Sequence, residues 1–150
     1  MGNNMADVIF DVDGTLMNVD HRRHHVEQKP RDFDAFRKEM VNDTPNKDVV
    51  MMAKLLKEAG HCIIIATGRL VKDKLLTLTQ LKDAGVEYDA TFFRSVEEEY
   101  RPDHMVKEQM LEDMKQFGYN PTIAFDDRDR VVEMWRQNGL RVFQVDRGDF

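Results

Sequence analysis

The stretch Val8-Ile-Phe-Asp-Val-Asp-Gly-Thr-Leu16 decides how this chain is read. Three apolar β-formers, Val8, Ile9 and Phe10, run directly into Asp11 and Asp13, and the run breaks at Gly14-Thr15. A short apolar run closed by glycine reads as a buried strand stopping at a turn. Two carboxylates at the end of such a strand are costly to place without a partner. In open α/β sheets that same edge is where ligands bind. A hard cation such as Mg2+, which prefers oxygen ligands, would offset the cost. A calcium loop of the EF-hand type needs glycine at its sixth position and glutamate at its twelfth. Counted from Asp11, glycine falls fourth and Arg22 twelfth, so that reading is rejected. A plain Asp-Gly turn and a catalytic strand end remain, and the rest of the chain decides between them.

Downstream, residues 17–43 show no clear strand and read as a small helical insert over the strand end, with Phe33, Phe36 and Met40 at helical spacing. Within it, His21-Arg-Arg-His-His25 is either a solvated loop or an anion-binding flap whose arginine forks grip phosphate oxygens. A zinc site is disfavoured there, because cysteine is lacking nearby and the closest histidines are adjacent. Thr44 as N-cap and Pro45 at the first helical position predict a helix to about Ala59, with Val49, Met52, Ala53 and Leu56 facing the core. The β-branched run 61–66 is a buried strand of the kind found in parallel sheets, ending at Thr67-Gly-Arg69. A helix over 71–84 places Leu75, Leu78 and Leu81 on one face. A strand over 89–93, a helix from Pro102-Asp103 to about Phe117 carrying Lys107, a strand over 122–125 ending at Asp126-Asp127, a helix over 129–138 and a strand over 141–145 complete the chain.

Strands alternating with helices predict an α/β fold, a Rossmann-like parallel sheet with helices on both faces. Right-handed crossovers put every strand's carboxyl end on one edge. Asp11, Asp13, Thr67, Arg69, Asp126 and Asp127 therefore converge, with Lys107 approaching from its helix. At 150 residues the chain is read as one domain, residues 1–150. Its 41% hydrophobic and 33% charged content suit a soluble protein, and no apolar run nears the ~20 residues of a membrane span. Residues 1–7 lack the features of a signal peptide. The one cysteine, Cys62, reads as a small buried hydrophobe that forms no internal disulfide, which fits a reducing, cytoplasmic setting. A net charge of −6 argues against broad, non-specific nucleic-acid binding but leaves room for a local basic patch gripping one strand end.

The converging set suits phosphoryl transfer through an aspartyl-phosphate. Asp11 would attack phosphorus, and Asp13 would protonate the leaving oxygen and then activate water. Thr67 and the N–H of Gly68 would hold phosphoryl oxygens, Lys107 would act as a point charge, and Mg2+ would neutralise developing charge. The bland alternatives are an exposed helix lysine, a plain Thr-Gly-Arg turn and an Asp126-Asp127 helix cap. Met134 and Trp135 read as core rather than as a base-stacking surface, and Gly148-Asp-Phe150 has no derivable role.

Taken together, Asp-Val-Asp-Gly-Thr at 11–15, Thr-Gly-Arg at 67–69, Lys107 and Asp126-Asp127 resemble the four motifs of the haloacid dehalogenase (HAD) superfamily. The resemblance implies Asp11 as nucleophile and metal ligand, Asp13 as acid/base that also gives its carbonyl to Mg2+, and Asp127 with Asp126 beside it on the metal. Tyr-Arg-Pro-Asp-X-X-Val-Lys at 100–107, Phe-Asp-Asp-Arg at 125–128, Val-Val-Glu-Met-Trp-Arg at 131–136 and Gly-Asp-Phe at 148–150 further resemble the phosphatase half of phage-type polynucleotide kinase–phosphatases. That likeness implies removal of 3′-phosphates from DNA or RNA ends, with Arg22, Arg69 and Asp103, and more weakly Arg101, at the substrate end. The sequence departs from the full pattern in having no Gly-X-X-X-X-Gly-Lys-Ser/Thr P-loop, which leaves room for a kinase or ligase partner on a separate chain. The rivals are a small-molecule phosphatase such as a nucleotidase, and a non-catalytic module that binds phosphorylated ends.

Overall fold

The computed structural model describes residues 5–150. Alternation along its strands builds two cores from one sheet. In β1 (Asp7–Phe10), Val8 and Phe10 turn to one face and Ile9 to the other; β4 (Cys62–Leu70) divides in the same way, Ile63 and Ile65 against Ile64 and Ala66. The Ile9 face packs on α5 (Asp103–Gln116) and α6 (Asp129–Gln137), through Val106, Met110, Leu111, Val131 and Trp135. The Val8 face packs on α3 (Lys47–Glu58) and α4 (Lys74–Ala84), through Val49, Val50, Ala53 and Leu81. Each fully buried large side chain contributes roughly 1.5–3 kcal/mol of burial free energy, so both faces must be covered.

The remaining strands are β5 (Ala90–Arg94), β6 (Pro121–Asp126) and β7 (Arg141–Gln144), and the five form a parallel sheet in the order β5-β4-β1-β6-β7. The chain winds outward from β1 through β4 to β5, then crosses back to β6 and β7. The carboxyl end of β1 is therefore the switch point where a crevice opens in such sheets. Above it sits the insert, with a short antiparallel pair of β2 (Met17–Asn18) and β3 (Thr44–Pro45) at its base and α1 (His24–Glu27) and α2 (Phe33–Lys38) beyond. Among the described residues no helix is long and apolar enough to cross a membrane.

Several sequence expectations change. Thr44 and Pro45 pair with Met17 and Asn18 rather than opening α3, whose N-cap is Asn46. Thr67-Gly-Arg69 is not a turn after β4 but part of it, since the strand continues to Leu70. Leu75 is 82% exposed. Leu75, Leu78 and Leu81 are three apart, and each such step falls about 60° short of a full helical turn, so Leu75 lies about 120° round from buried Leu81. Met52 and Phe33 are likewise exposed. Cys62 is only partly covered, and burial, with Asp7 and Asp89 nearby, pushes its thiol up to about 11.

Candidate active site

Asp11 leaves β1 with its N–H donating to the Phe125 carbonyl of β6 at 3.0 Å, which fixes the backbone between two strands. Its side chain is buried. Lys107 Nζ donates to Oδ1 at 2.8 Å and the Thr15 hydroxyl to Oδ2 at 2.9 Å. Lys107 is itself buried, on the inner face of α5, and also reaches Asp126 Oδ2 at 3.1 Å. Asp126 ends β6. Its Oδ2 takes the indole N–H of Trp135 at 3.1 Å, and its Oδ1 takes the backbone N–H of Asp127 at 2.8 Å. Asp127 follows, buried, with Arg23 Nη2 3.4 Å from its Oδ2. Gly14 has φ +80°, and a side chain there would overlap the Asp127 carboxylate and Arg23. The turn after β1 thus needs glycine for both conformation and room.

Oxygens of Asp11, Asp126 and Asp127 lie within 4.8 Å of one another. Burial, reinforced by Asp126, lifts the Asp11 carboxyl well above its ordinary value against the pull of Lys107. Burial and Asp126 also push Asp127 up to about 6. Burial would depress Lys107, but Asp11 and Asp126 outweigh it and raise the ammonium. Three carboxylates thus face one buried ammonium, leaving excess negative charge on an all-oxygen donor set. That set fits a hard divalent cation such as Mg2+.

Asp13 stands on the other side of the crevice, its side chain 31% exposed. Its Oδ1 accepts from Arg69 Nε at 2.8 Å and from Arg22 Nη2 at 3.2 Å. Burial acts to raise its carboxyl, but Arg69 and then Arg22 overcome this and hold it below the usual range. Both guanidiniums are buried and anchored on Asp43. Arg22 donates to it through Nε at 2.8 Å and Nη2 at 2.7 Å, and Arg69 Nη2 donates at 2.8 Å. Arg22 also lies 4.2 Å over the Phe36 ring, and Arg69 Nη1 donates to Thr77 at 3.1 Å and Gln80 at 2.6 Å. The two arginines that the family resemblance places at the substrate end are here braced by Asp43 and aimed at Asp13.

Thr67 is buried on β4, its hydroxyl accepting the Arg69 N–H at 3.1 Å. Gly68 follows; a Cβ there would overlap Asp103 Oδ1. Arg94 links the two, donating through Nε to the Gly68 carbonyl and through Nη2 to Asp103, both at 2.9 Å. Asp103 lies 3.8 Å from Lys107 Nζ, so it too is tied into the wall of the site. The Arg101 side chain is exposed and pairs with Glu98 at 3.1 Å, while its carbonyl accepts from Arg94 Nη1 at 2.6 Å.

Several members were missed in the sequence. Asp43 carries no motif, because its partners lie 21 and 26 residues away. Trp135 is core as expected, yet a buried indole N–H needs an acceptor, and that was the available signal pointing to Asp126. The segment 148–150 also gains a role. The Gly148 carbonyl accepts the Asp129 N–H at 2.7 Å, starting α6, and the Phe150 ring lies 4.4 Å below Arg23 and 5.6 Å from Arg128.

The family model described as the polynucleotide kinase PNKP phosphatase domain matches residues 5–150. Two solved structures, the Pnkp1/Rnl/Hen1 complex and the Pnkp1/Rnl/Hen1 RNA repair complex, match with a TM-score of 0.80 at 30% identity over 99% of this chain. The chain covers 49% and 45% of those chains, so it spans about half their length. A haloacid dehalogenase-like hydrolase from Streptococcus pneumoniae shares the fold, with a TM-score of 0.64 at 15% identity over 93% of this chain and 84% of its own. On these grounds the chain belongs to the PNKP phosphatase-domain family of HAD-type phosphoric monoester hydrolases.

Proposed function

We propose that this protein removes 3′-phosphates from DNA or RNA ends, with Mg2+, through an aspartyl-phosphate on Asp11. The observation that carries the reading is the division of labour across the crevice: a carboxylate cluster with one lysine on one side, and a single arginine-braced carboxylate on the other. A binding module would need the first but not the second.

Asp11 is oriented for attack by Lys107 and Thr15, which hold one oxygen each. As its oxygen bonds to phosphorus, the bond to the 3′-oxygen breaks and Asp13 gives that oxygen a proton. In the second step Asp13 takes a proton from water. The resulting hydroxide displaces Asp11 from phosphorus, releasing phosphate and returning Asp13 to its protonated form. Thr67 and the Gly68 N–H hold the phosphoryl oxygens, with Lys107 supplying charge. Mg2+ bound to Asp11 and Asp127 would supply charge neutralisation at the phosphoryl group. Asp127 is the better direct ligand of the adjacent pair. Both Asp126 oxygens already accept from protein donors, Lys107, Trp135 and the Asp127 N–H, whereas Asp127 Oδ2 takes a long contact from Arg23 and its carboxyl faces Asp11. The nucleic-acid substrate is supported by the family and by the likeness to an RNA repair complex, and a separate kinase or ligase partner of this chain would act on the same ends.

The test is Mg2+-dependent phosphate release from a 3′-phosphorylated oligonucleotide, a 3′-mononucleotide and p-nitrophenyl phosphate at two salt concentrations. A much higher kcat/KM on the oligonucleotide, weakened by salt, supports end repair. Equal or better turnover of the small esters would leave the chemistry intact and remove the polymer substrate. No release from any of the three would return the binding module to first place.

A further inference from the structure

We propose a second metal centre, for a late transition-metal ion such as Zn2+, made by His24 and His25 of α1 and Glu39 of the insert. Adjacent histidines alone make a poor zinc pair, which is why the sequence spoke against one. The fold changes the donor set by bringing Glu39 to them. One ligand atom from each of the three lies within 4.8 Å of the others, and the two imidazole centroids are 3.9 Å apart.

The contact between His25 and Glu39 is the informative one. His25 Nε2 is shielded from solvent and lies 3.2 Å from Glu39 Oε1, a contact that pulls the Glu39 carboxyl below its ordinary value but is too poorly aligned for a good hydrogen bond. A charge-assisted N–H···O bond would draw in to about 2.7–2.9 Å and align. Two ligands on one tetrahedral Zn2+, each about 2.0–2.1 Å from the ion, stand about 3.3 Å apart. The observed separation is that of a pair of metal ligands, and the misalignment that defeats a hydrogen bond does not matter to an ion lying between the two atoms. The other Glu39 oxygen lies 3.9 Å from Nδ1 of His21, whose Nε2 is 2.7 Å from Asp43.

The two centres differ in hardness. Asp11, Asp126 and Asp127 offer only oxygen and suit Mg2+, whereas two imidazoles and one carboxylate suit Zn2+, Ni2+ or Cu2+. His24 is exposed, so a water completes the coordination and the ion enters from solvent. An ion held there closes residues 24–39 into a loop, directly beside Arg22 and Asp43. The site stands independently of the reaction assigned to the protein.

The test is Zn2+ competition against a chromophoric chelator, with the whole chain kept in excess Mg2+ to fill the carboxylate cluster. The expected result is one Zn2+ per chain. His25→Ala and Glu39→Gln should lose at least about tenfold in affinity, a loss seen even for groups that only touch a ligand, while Asp127→Asn keeps the site. Glu39→His, which restores a third donor, should recover binding. The inference is overturned if wild type retains no Zn2+, if Asp127→Asn removes the site while His25→Ala keeps it, or if Glu39→Gln and Glu39→His behave alike. Should His25→Ala fail to fold, the two Glu39 variants still decide.

Discussion

Asp43→Ala is the perturbation that most directly probes how the acid/base side of the crevice is held. The Asp43 side chain is fully buried and accepts at 2.7–2.8 Å from Arg22 twice, from Arg69, and from His21. Charge-assisted bonds at about 1.5–3 kcal/mol each, simply summed, would rival the whole ~5–15 kcal/mol stability of a domain. The sum overstates the loss, because the arginines keep Asp13 and water can enter. The better guide is the ~3–5 kcal/mol lost when one partner of a buried ion pair is removed and the other charge remains. For a domain of this size that lowers Tm by on the order of 10 °C. The chemical loss is separate: with the struts released, Asp13 is no longer aimed, and the roughly 100- to 10,000-fold value of a positioned acid/base is at risk. Urea unfolding measures the first effect. Single-turnover phosphate release, at a temperature where the variant is folded, measures the second. Stability within about 1 kcal/mol of wild type would refute the buried-hub account. A large stability loss with unchanged single-turnover rate would refute the positioning role alone.

Asp13→Asn should abolish turnover yet leave Mg2+ and inorganic phosphate binding near wild type by calorimetry; wild-type turnover would remove Asp13 from the chemistry. Because Arg69 and then Arg22 hold Asp13 below the usual range while Asp11 and Asp127 must be ionised to act, kcat/KM at saturating Mg2+ should fall with rising pH once those two carboxyls are ionised, and a profile that stays level at higher pH would contradict the role of Asp13 as acid. Asp127, raised to about 6, must lose its proton to bind metal, so Mg2+ affinity should weaken as pH falls through about 6. In metal-free protein the sign for stability is opposite. The folded state holds the extra proton, so this group's destabilising effect is relieved as pH drops from 7 towards 4. Gly68→Ala should displace Asp103 and cut kcat strongly with a smaller change in Tm, and full activity would show that the wall of the site yields. Trp135→Phe removes a donor to buried Asp126 and should cost about 1–3 kcal/mol in urea unfolding.

The sheet and the gathering of polar residues at its strand ends were legible because both are written locally. Val8, Ile9 and Phe10 announce a strand, and Asp11 and Asp13 follow it within three residues. Right-handed crossovers then collect Thr67, Lys107 and Asp126 without further information. What could not be read was set by partners far along the chain. Thr44-Pro45 carries a sound helix-start signal, but pairing with Met17-Asn18 captures it for a strand. Arg22 and Arg69 gave no local sign that their donors are taken up inside the protein, by Asp43 together with Asp13, Thr77 and Gln80. His24 and His25 carry no local sign that Glu39 lies beside them, because the fold of the insert brings it there.

The length of β4 has an evolutionary consequence. Strand β4 carries Thr67, Gly68 and Arg69 past the end of β1, through an irregular stretch that rejoins β5 where Leu70 pairs with Arg94, so one wall of the crevice is tied into the sheet at both ends. Sheet backbone resists insertion and deletion, whereas the segment from 17 to 43 is short helices and turns that tolerate both. The two walls are therefore free to change at different rates. The insert can therefore be rewritten around its two fixed points, Arg22 and Asp43, while the residues proposed for the chemistry stay where the sheet holds them.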